Sequence, residues 1–302
     1  MKKDRCPVCS SDKKKEIGLP KTNLISIKFI KEEFRVVQCS KCQLYYVSPQ
    51  INFSNNQWSE LYNTEYFSNQ SNWLVKKRKK ELAERFDTAK SLIENKNQTL
   101  RYLDVGAGEG KGLLEAYKRG WEATGIDIVD NRLEDAKLSD IKFIKSNLIE
   151  SDLPENYFDF IYVDSVVEHV LNPFEYLSHI KKLLSKGGVI YIGVPNEDCL
   201  FNNVRKLVFV LTGKKNESEK IKPFDSPYHV IGFNNYSLNY FFDKLELKVL
   251  KKRNFGRKFD FLSYSPKSKS FWIGLFFLFP VEYPGLLIQR DVYFEAYLST
   301  DN

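Results

Sequence analysis

The sequence predicts an α/β protein, a doubly wound and mostly parallel sheet flanked by helices, with a small cysteine-bearing module at its amino end. Three observations predict it. From Leu100 onward short apolar runs alternate with helical patterns, the order that builds a parallel sheet. A glycine-rich turn, GAGEG over 106–110, follows the first of those runs. Two C-x2-C pairs stand ahead of residue 43.

The bulk properties agree. The chain has 302 residues, 42% of them hydrophobic and 28% charged, enough apolar content for a sizeable core and too much for a disordered chain. Its 15 glycines and 11 prolines are too few for collagen-like or low-complexity structure. The start, MKKDRCPVCS, has no apolar run after its charges, which argues against a secretory signal and for the cytoplasm. The net charge of +7 is local: residues 1–45 hold 11 Lys and Arg against 5 Asp and Glu, and residues 46–302 hold 35 against 34. A basic appendage on a neutral body is a weak argument for a nucleic-acid partner.

In chain order, Cys6 and Cys9, then Cys39 and Cys42, form two knuckles 29 residues apart. Each aims two thiolates at one point, and together they complete a Zn–S4 site, structural because four sulfurs leave no open position. Disulfides are the rival reading, disfavoured in a reducing compartment. Cys199 stands alone and reads as a buried small hydrophobe. LISIKFIKEEFRVVQC and LYYVSP read as short strands, and the polar stretch PQINFSNN sets a boundary near residue 50. Apolar positions from Trp73 to Ile93 recur at helical spacing, with the run Lys76–Lys80 as a solvated face or a contact for an acidic ligand.

Residues 101–105, 121–128, 141–145, 158–163 and 189–194 then read as strands, and 111–119 as a helix. Asn172, Pro173 and Glu175 open another helix as N-cap, N1 and N3, closed by Gly187 and Gly188. The stretch 271–288, FWIGLFFLFPVEYPGLLI, is the most apolar in the chain, but Pro280, Glu282 and Pro284 interrupt any run of bilayer length. Packing against the body is its first reading and peripheral membrane contact its second. Residues 291–298 read as a final strand.

Gly106, Gly108 and Gly110 bring backbone N–H groups close to a ligand at the carboxyl end of a strand. The spacing is G-x-G-x-G, and Glu109 puts a negative charge where a pyrophosphate would lie, so a cofactor without phosphates is favoured. Asp127, closing the next strand, is placed to accept hydrogen bonds from ribose hydroxyls.

With these residues in view, the chain resembles class I S-adenosylmethionine-dependent methyltransferases. LDVGAGEG (103–110) is similar to their first motif, GID (125–127) to their second, FDFIYVDS (158–165) to that of the fourth strand, and LSKGGVI (184–190) to the turn into strand five. DSVVEH (164–169) is similar to the E-H signature of the ubiquinone-type subgroup. The four-Cys ribbon, YYVSP (45–49) and ELYNTEYF (60–67) resemble a bacterial group that often acts in sugar or surface-polysaccharide biosynthesis. The resemblance implies a seven-stranded sheet and a division into a zinc ribbon (1–50), a helical lid or linker (51–99), an S-adenosylmethionine-binding core (100–260) and an apolar excursion with a final core strand (261–302). It implies cofactor contacts at Asp104, Gly106, Ala107, Gly108 and Asp127, with Asn147 beside the adenine, Asp164 and Ser165 beside the methionine end, and Tyr62 and Tyr66 in a lid.

Some relatives bind Mg²⁺ through a glutamate three residues ahead of the E-H pair, where this chain has Ser165. Glu168 and His169 alone make a poor magnesium site, so no catalytic metal is expected. The implied reaction is in-line displacement of a sulfonium methyl group onto a small-molecule acceptor, a nucleotide-linked sugar or glycan intermediate above others. His169 and His229 are the candidate bases, with satisfied structural histidines as the alternative; His179, mid-helix, reads as structural. Two rivals remain: an RNA base methyltransferase holding RNA by its basic ribbon, against which the absence of an N-P-P-Y signature counts, and a non-catalytic scaffold at a membrane surface, against which the intact glycines and Asp127 count.

Overall fold

Strand-forming runs and amphipathic helices alternate along the chain as two sheets with helices between them. The computed structural model describes residues 5–61, 72–94, 99–138, 140–213, 218–256 and 264–300, and their side chains except at 55, 59 and 72–78 and 209. The amino-terminal module holds β1 (Lys14–Gly18), β2 (Arg35–Cys39) and β3 (Tyr45–Ser48). Helices α1 (Asn55–Leu61) and α2 (Asn72–Leu92) follow. The body then runs β4 (Arg101–Val105), α3 (Lys111–Lys118), β5 (Glu122–Asp127), β6 (Lys142–Lys145), β7 (Phe158–Asp164), α4 (Pro173–Leu183) and β8 (Leu184–Pro195). It ends with α5 (Leu200–Leu211), β9 (Ile231–Gly232), α6 (Asn235–Lys244), β10 (Leu247–Phe255), the helix α7 (Lys269–Leu287) and β11 (Tyr293–Thr300).

The large sheet has the order β10-β11-β8-β7-β4-β5-β6, with β11 antiparallel to both neighbours and the other pairs parallel. This is the seven-stranded, mostly parallel architecture the sequence predicts. The period-2 pleat divides the core between its faces. Tyr102, Phe160 and Tyr191 pack with Phe86 of α2 and Leu113 of α3 on one side. Leu103, Ile161 and Ile190 pack with Leu177 and Ile180 of α4 on the other. The small sheet, β1-β2-β3-β9, borrows its fourth strand from the body: Tyr45 and Tyr46 pair with Gly232 and Ile231. The ribbon is therefore hydrogen-bonded to the segment that carries His229.

Three elements differ from expectation. In place of a strand, Ser26–Lys28 is a 3₁₀ turn, because the Asn23 side chain accepts the N–H groups of Ile25 and Ser26 and draws the backbone into a cap. Helix α4 opens on Asn172 and Pro173 as predicted, but it ends at Leu183, and Gly187, at φ +73°, lies inside β8 and not at a helix cap. Helix α7 runs unbroken through both prolines, with a π turn at Gly274–Leu278 shifting the hydrogen-bond register just ahead of Pro280. Its 19 residues are long and apolar enough, by length and composition, to cross a membrane.

Candidate functional site at the carboxyl edge of the sheet

Strands β4, β5 and β7 all end at one edge, and their carboxyl-terminal loops build the site. After β4 the chain turns at Gly106, φ +72°, whose N–H donates to the Ile126 carbonyl at 2.9 Å. A Cβ on Gly106 would lie 2.5 Å from Val166 Cγ2, so the loop after β7 closes onto this turn only because residue 106 has no side chain. Gly108, φ +50°, donates its N–H to Asp127 Oδ2 at 2.9 Å. Asp127 thus fixes the turn with one oxygen, the Val129 N–H reaches Oδ1 at 3.4 Å and the Ile128 N–H also bonds the carboxylate, yet burial raises its pKa. A carboxylate oxygen has two acceptor sites, so capacity for ribose hydroxyls remains.

Ala107 is buried within the turn. Asp104 lies beneath it, 4% exposed, and its Oδ2 occupies the space a side chain on Gly112 would fill. Burial pushes its carboxyl up to about 7, against the Leu113 N–H that favours the charged form. Asn147 follows β6, exposed, its Oδ1 accepting the Ile149 N–H as an N-cap. Tyr62 and Tyr66 lie outside the described residues, as do 62–71 of the lid or linker implied for 51–99.

At the end of β7, Asp164 collects a network that the sequence did not disclose. Its Oδ2 accepts from Arg85 Nη1 at 2.9 Å and the Tyr162 hydroxyl at 3.0 Å, and its Oδ1 from the Tyr293 hydroxyl at 2.8 Å. The Ser165 hydroxyl, at φ +57°, lies 2.6 Å from Tyr293 Oη. Arg85 also binds the fully buried Glu295, which is held further by Arg253 and, at 2.8 Å, by the Tyr191 hydroxyl. Gly193 leaves the room that Asp164 Oδ1 fills. Signals existed for two of these residues: Glu295 interrupts an apolar strand, and Gly193 stands inside a buried one.

Just beyond Ser165, the 3₁₀ turn Val167–His169 and the loop before β9 bring three ionisable groups together. Glu168, His169 and His229 offer ligand atoms within 4.8 Å of one another. His229 Nε2 is 3.8 Å from Glu168 Oε1, and the two imidazoles meet edge to face with centroids 4.9 Å apart. Both Glu168 carboxyl oxygens are buried and have no hydrogen-bond partner among the described residues. Burial pushes Glu168 up to about 8, His169 down to about 4 and His229 well below its usual value, with His169 adding to the last. His169 pairs with the Tyr228 backbone carbonyl, which fixes its ring and tautomer. Burial thus favours the uncharged form of all three groups. The sequence reading named the two histidines and used Glu168 only to weigh a magnesium site; Val230 N–H to Glu168 carbonyl, 2.9 Å, is one tie that joins the two segments.

The four ribbon cysteines also converge. Their sulfurs lie within 4.8 Å of one another, with 3.4 Å between Cys6 and Cys42 and between Cys9 and Cys39. A tetrahedral Zn–S4 centre with bonds of about 2.3 Å has sulfurs about 3.8 Å apart, so the donor set fits. Both knuckles have the same shape. The residue after the second cysteine, Ser10 or Gln43, is left-handed and donates its N–H to the carbonyl of the first cysteine at 2.9 Å.

A cavity of about 720 Å³ opens beyond β8, away from the glycine turn. Its polar lining includes Asn196, Asn234, Asn254, Lys252, Arg253 and, from the ribbon, Gln43. Tyr45 of the ribbon donates to Asp198 Oδ1 at 2.7 Å on the same wall.

A family model described as "Methyltransferase domain" matches residues 74–254. Ubiquinone biosynthesis O-methyltransferases from strains of Vibrio cholerae serotype O1 are 26% identical over 120 residues, 37% of this chain and 47% of theirs. The chain therefore spans about half the length of the curated relatives it matches. A crystal structure of Burkholderia thailandensis 1,6-didemethyltoxoflavin-N1-methyltransferase, with bound 1,6-didemethyltoxoflavin and S-adenosylhomocysteine, is similar in fold. The TM-score is 0.51 at 14% identity, covering 87% of this chain and 98% of that one. A SAM dependent methyltransferase from Archaeoglobus fulgidus gives a TM-score of 0.46 at 16% identity over 76% of this chain and 99% of its own.

Proposed function

We propose, from the premise that this chain belongs to the methyltransferase-domain family, that it transfers a methyl group from S-adenosylmethionine to a small-molecule acceptor. The observation that carries the reading is the glycine turn tied to Asp127: amides of 106–110 line the edge of the sheet beside a carboxylate with spare acceptor capacity. A carboxylate at that edge suits the ribose hydroxyls of a nucleoside, the N–H groups of Gly106, Ala107, Gly108 and Gly110 being taken up within the turn and its neighbours, and Lys111 is paired with Glu109. Bound S-adenosylmethionine supplies a methyl group already activated by a positive sulfur.

The chain's own residues do the rest. Asp127 holds the ribose and Asn147 borders the base. Asp164, locked by Arg85, Tyr162 and Tyr293, presents with Ser165 a polar edge for the amino-acid end. His169, uncharged at neutral pH and anchored on the Tyr228 carbonyl, takes the acceptor's proton, with His229 beside it. The acceptor is a nucleotide-linked sugar or surface-glycan intermediate. Amide side chains in the cavity suit hydroxyl groups of the acceptor remote from the reacting one, and Lys252 suits a phosphate. The ribbon holds a structural zinc and supplies Gln43 to that cavity.

Isothermal titration with S-adenosylmethionine, with NAD⁺ as control, tests the class. Saturable binding of the sulfonium alone supports it, and binding of neither ligand overturns it. Methyl transfer to nucleotide sugars, with RNA as the competing acceptor, then tests the substrate.

A further inference from the structure

Helices α5 and α7 lie against each other beside the carboxyl edge. Gly285 is the point of closest approach: a Cβ there would lie 3.4 Å from Leu200 Cβ and 3.2 Å from the Arg290 carbonyl oxygen. The Leu200 N–H donates to that carbonyl at 2.8 Å. Contact is confined to one side, for only Gly274 and Gly285 of α7 are buried. On its open side Trp272 and Ile273, Phe276 and Phe277, Tyr283 and Leu287 recur at the helical period. Val204, Leu207, Val208 and Leu211 form a matching stripe on α5. Phe277 is 71% exposed, Leu211 76% and Leu287 67%. The expected packing of 271–288 against the body is thus met on one flank alone. A continuous apolar face of this kind is rare on a protein surrounded only by water.

We infer that α5 and α7 form a docking face for an anionic phospholipid surface, both helices lying in the plane of the interface. The charges identify the occupant. Lys267 and Lys269 are exposed where α7 begins, and Glu282, half-buried, is the sole acid in α7. Cations beside an apolar face, with Trp272 and Tyr283 offering amphipathic rings, match a headgroup boundary. A second copy of the chain would set those lysines against their own kind. Crossing the bilayer would separate α7 from α5 and carry Glu282 into hydrocarbon. Helix α7 runs directly into the cavity wall at Leu286, Ile288 and Arg290, so docking holds the cavity beside the headgroups. This inference stands independently of the methyl-transfer reading.

The test is co-sedimentation of the full chain with phosphatidylcholine vesicles, with and without phosphatidylglycerol, alongside Trp fluorescence. Binding to the anionic vesicles with a blue shift is expected. Phe276→Asp with Phe277→Asp, and separately Leu207→Asp with Leu211→Asp, should each lower partitioning at least about tenfold, given the apolar area each pair removes. Lys267→Glu with Lys269→Glu should abolish the preference for phosphatidylglycerol. Unchanged circular dichroism and thermal unfolding show that each variant is folded. Three outcomes overturn the inference: no vesicle binding, vesicle binding that the variants leave unchanged, or self-association through this face in its place. Protein that resists alkaline extraction from membranes overturns the in-plane arrangement.

Discussion

The two halves of the carboxyl edge are built on opposite principles. In the loops after β4, β5 and β6 the polar groups meet others within about twenty positions in the chain: Gly106 with Ile126, Gly108 with Asp127, and Asn147 with the turn it caps. Beyond β7 the polar groups come from far apart, Arg85 meeting Glu295 across 210 positions, and several are left open. Glu168 has two buried oxygens with no hydrogen-bond partner among the described residues, and burial raises Glu197 well above the usual carboxylate range. The first half is the more closed of the two, which agrees with the proposed division into a cofactor side and an acceptor side. Unpaired buried groups are costly to a fold, so they belong where a ligand completes them.

The largest effect expected to break this contrast concerns the zinc proposed for the ribbon. Metal analysis should find one zinc per chain. Removing it, or Cys39→Ser, should lower the unfolding midpoint by roughly 10 °C or more, because metal binding is folding free energy in such modules. Since β3 pairs with β9 and Gln43 lines the cavity, acceptor binding should fail before S-adenosylmethionine binding does. Equal loss of both would show that the halves are not separable.

Next, His169→Ala should lower kcat by about 10²–10⁴, the usual contribution of a positioned general base, with the S-adenosylmethionine Kd unchanged. His169 is held to about 4, so kcat should stay level between pH 7 and 5, where an ordinary histidine would protonate. A fall near pH 6.5 that His169→Ala abolishes would show that burial does not hold this imidazole down in solution. Asp127→Ala reverses the pattern. Losing a charged acceptor to two hydroxyls should weaken S-adenosylmethionine about 10- to 100-fold, with acceptor affinity retained. Calorimetry that finds the Kd unchanged would sink the ribose assignment.

That same division explains what the sequence disclosed. The glycine turn, Asp127 and strands β4 to β8 are legible because each is a short local pattern with its own physical demand. The cysteine knuckles are legible because two thiolates per turn have few other uses. The cavity is not, because Gln43, Asn196, Asn234 and Asn254 meet only after β9 and β10 have joined their sheets. Arg85 was hidden by its neighbours: it follows a lysine-rich run and reads as one more cation on a solvated face. The continuity of helix α7 is not legible because two prolines in sequence look like breaks, whereas a π turn precedes the first and an exposed helix tolerates the second.

The smallest effect falls on Glu168 and concerns stability. Its folded pKa of about 8 exceeds the unfolded value near 4.5, so between these limits the folded chain keeps a proton that the unfolded chain has released. Each step upward in pH through that window therefore favours unfolding, and the penalty is complete above about pH 8. Glu168→Gln removes the titration while keeping the shape. Wild type and variant should unfold together near pH 4, where both side chains are neutral, and the variant should be the more stable by a few degrees at pH 8. Thermal unfolding across this range reads the difference directly. Identical curves at both ends would mean that Glu168 finds a partner in solution, and the acceptor half would then be as self-satisfied as the cofactor half. A gap that closes when the acceptor is added would show the partner to be the acceptor itself.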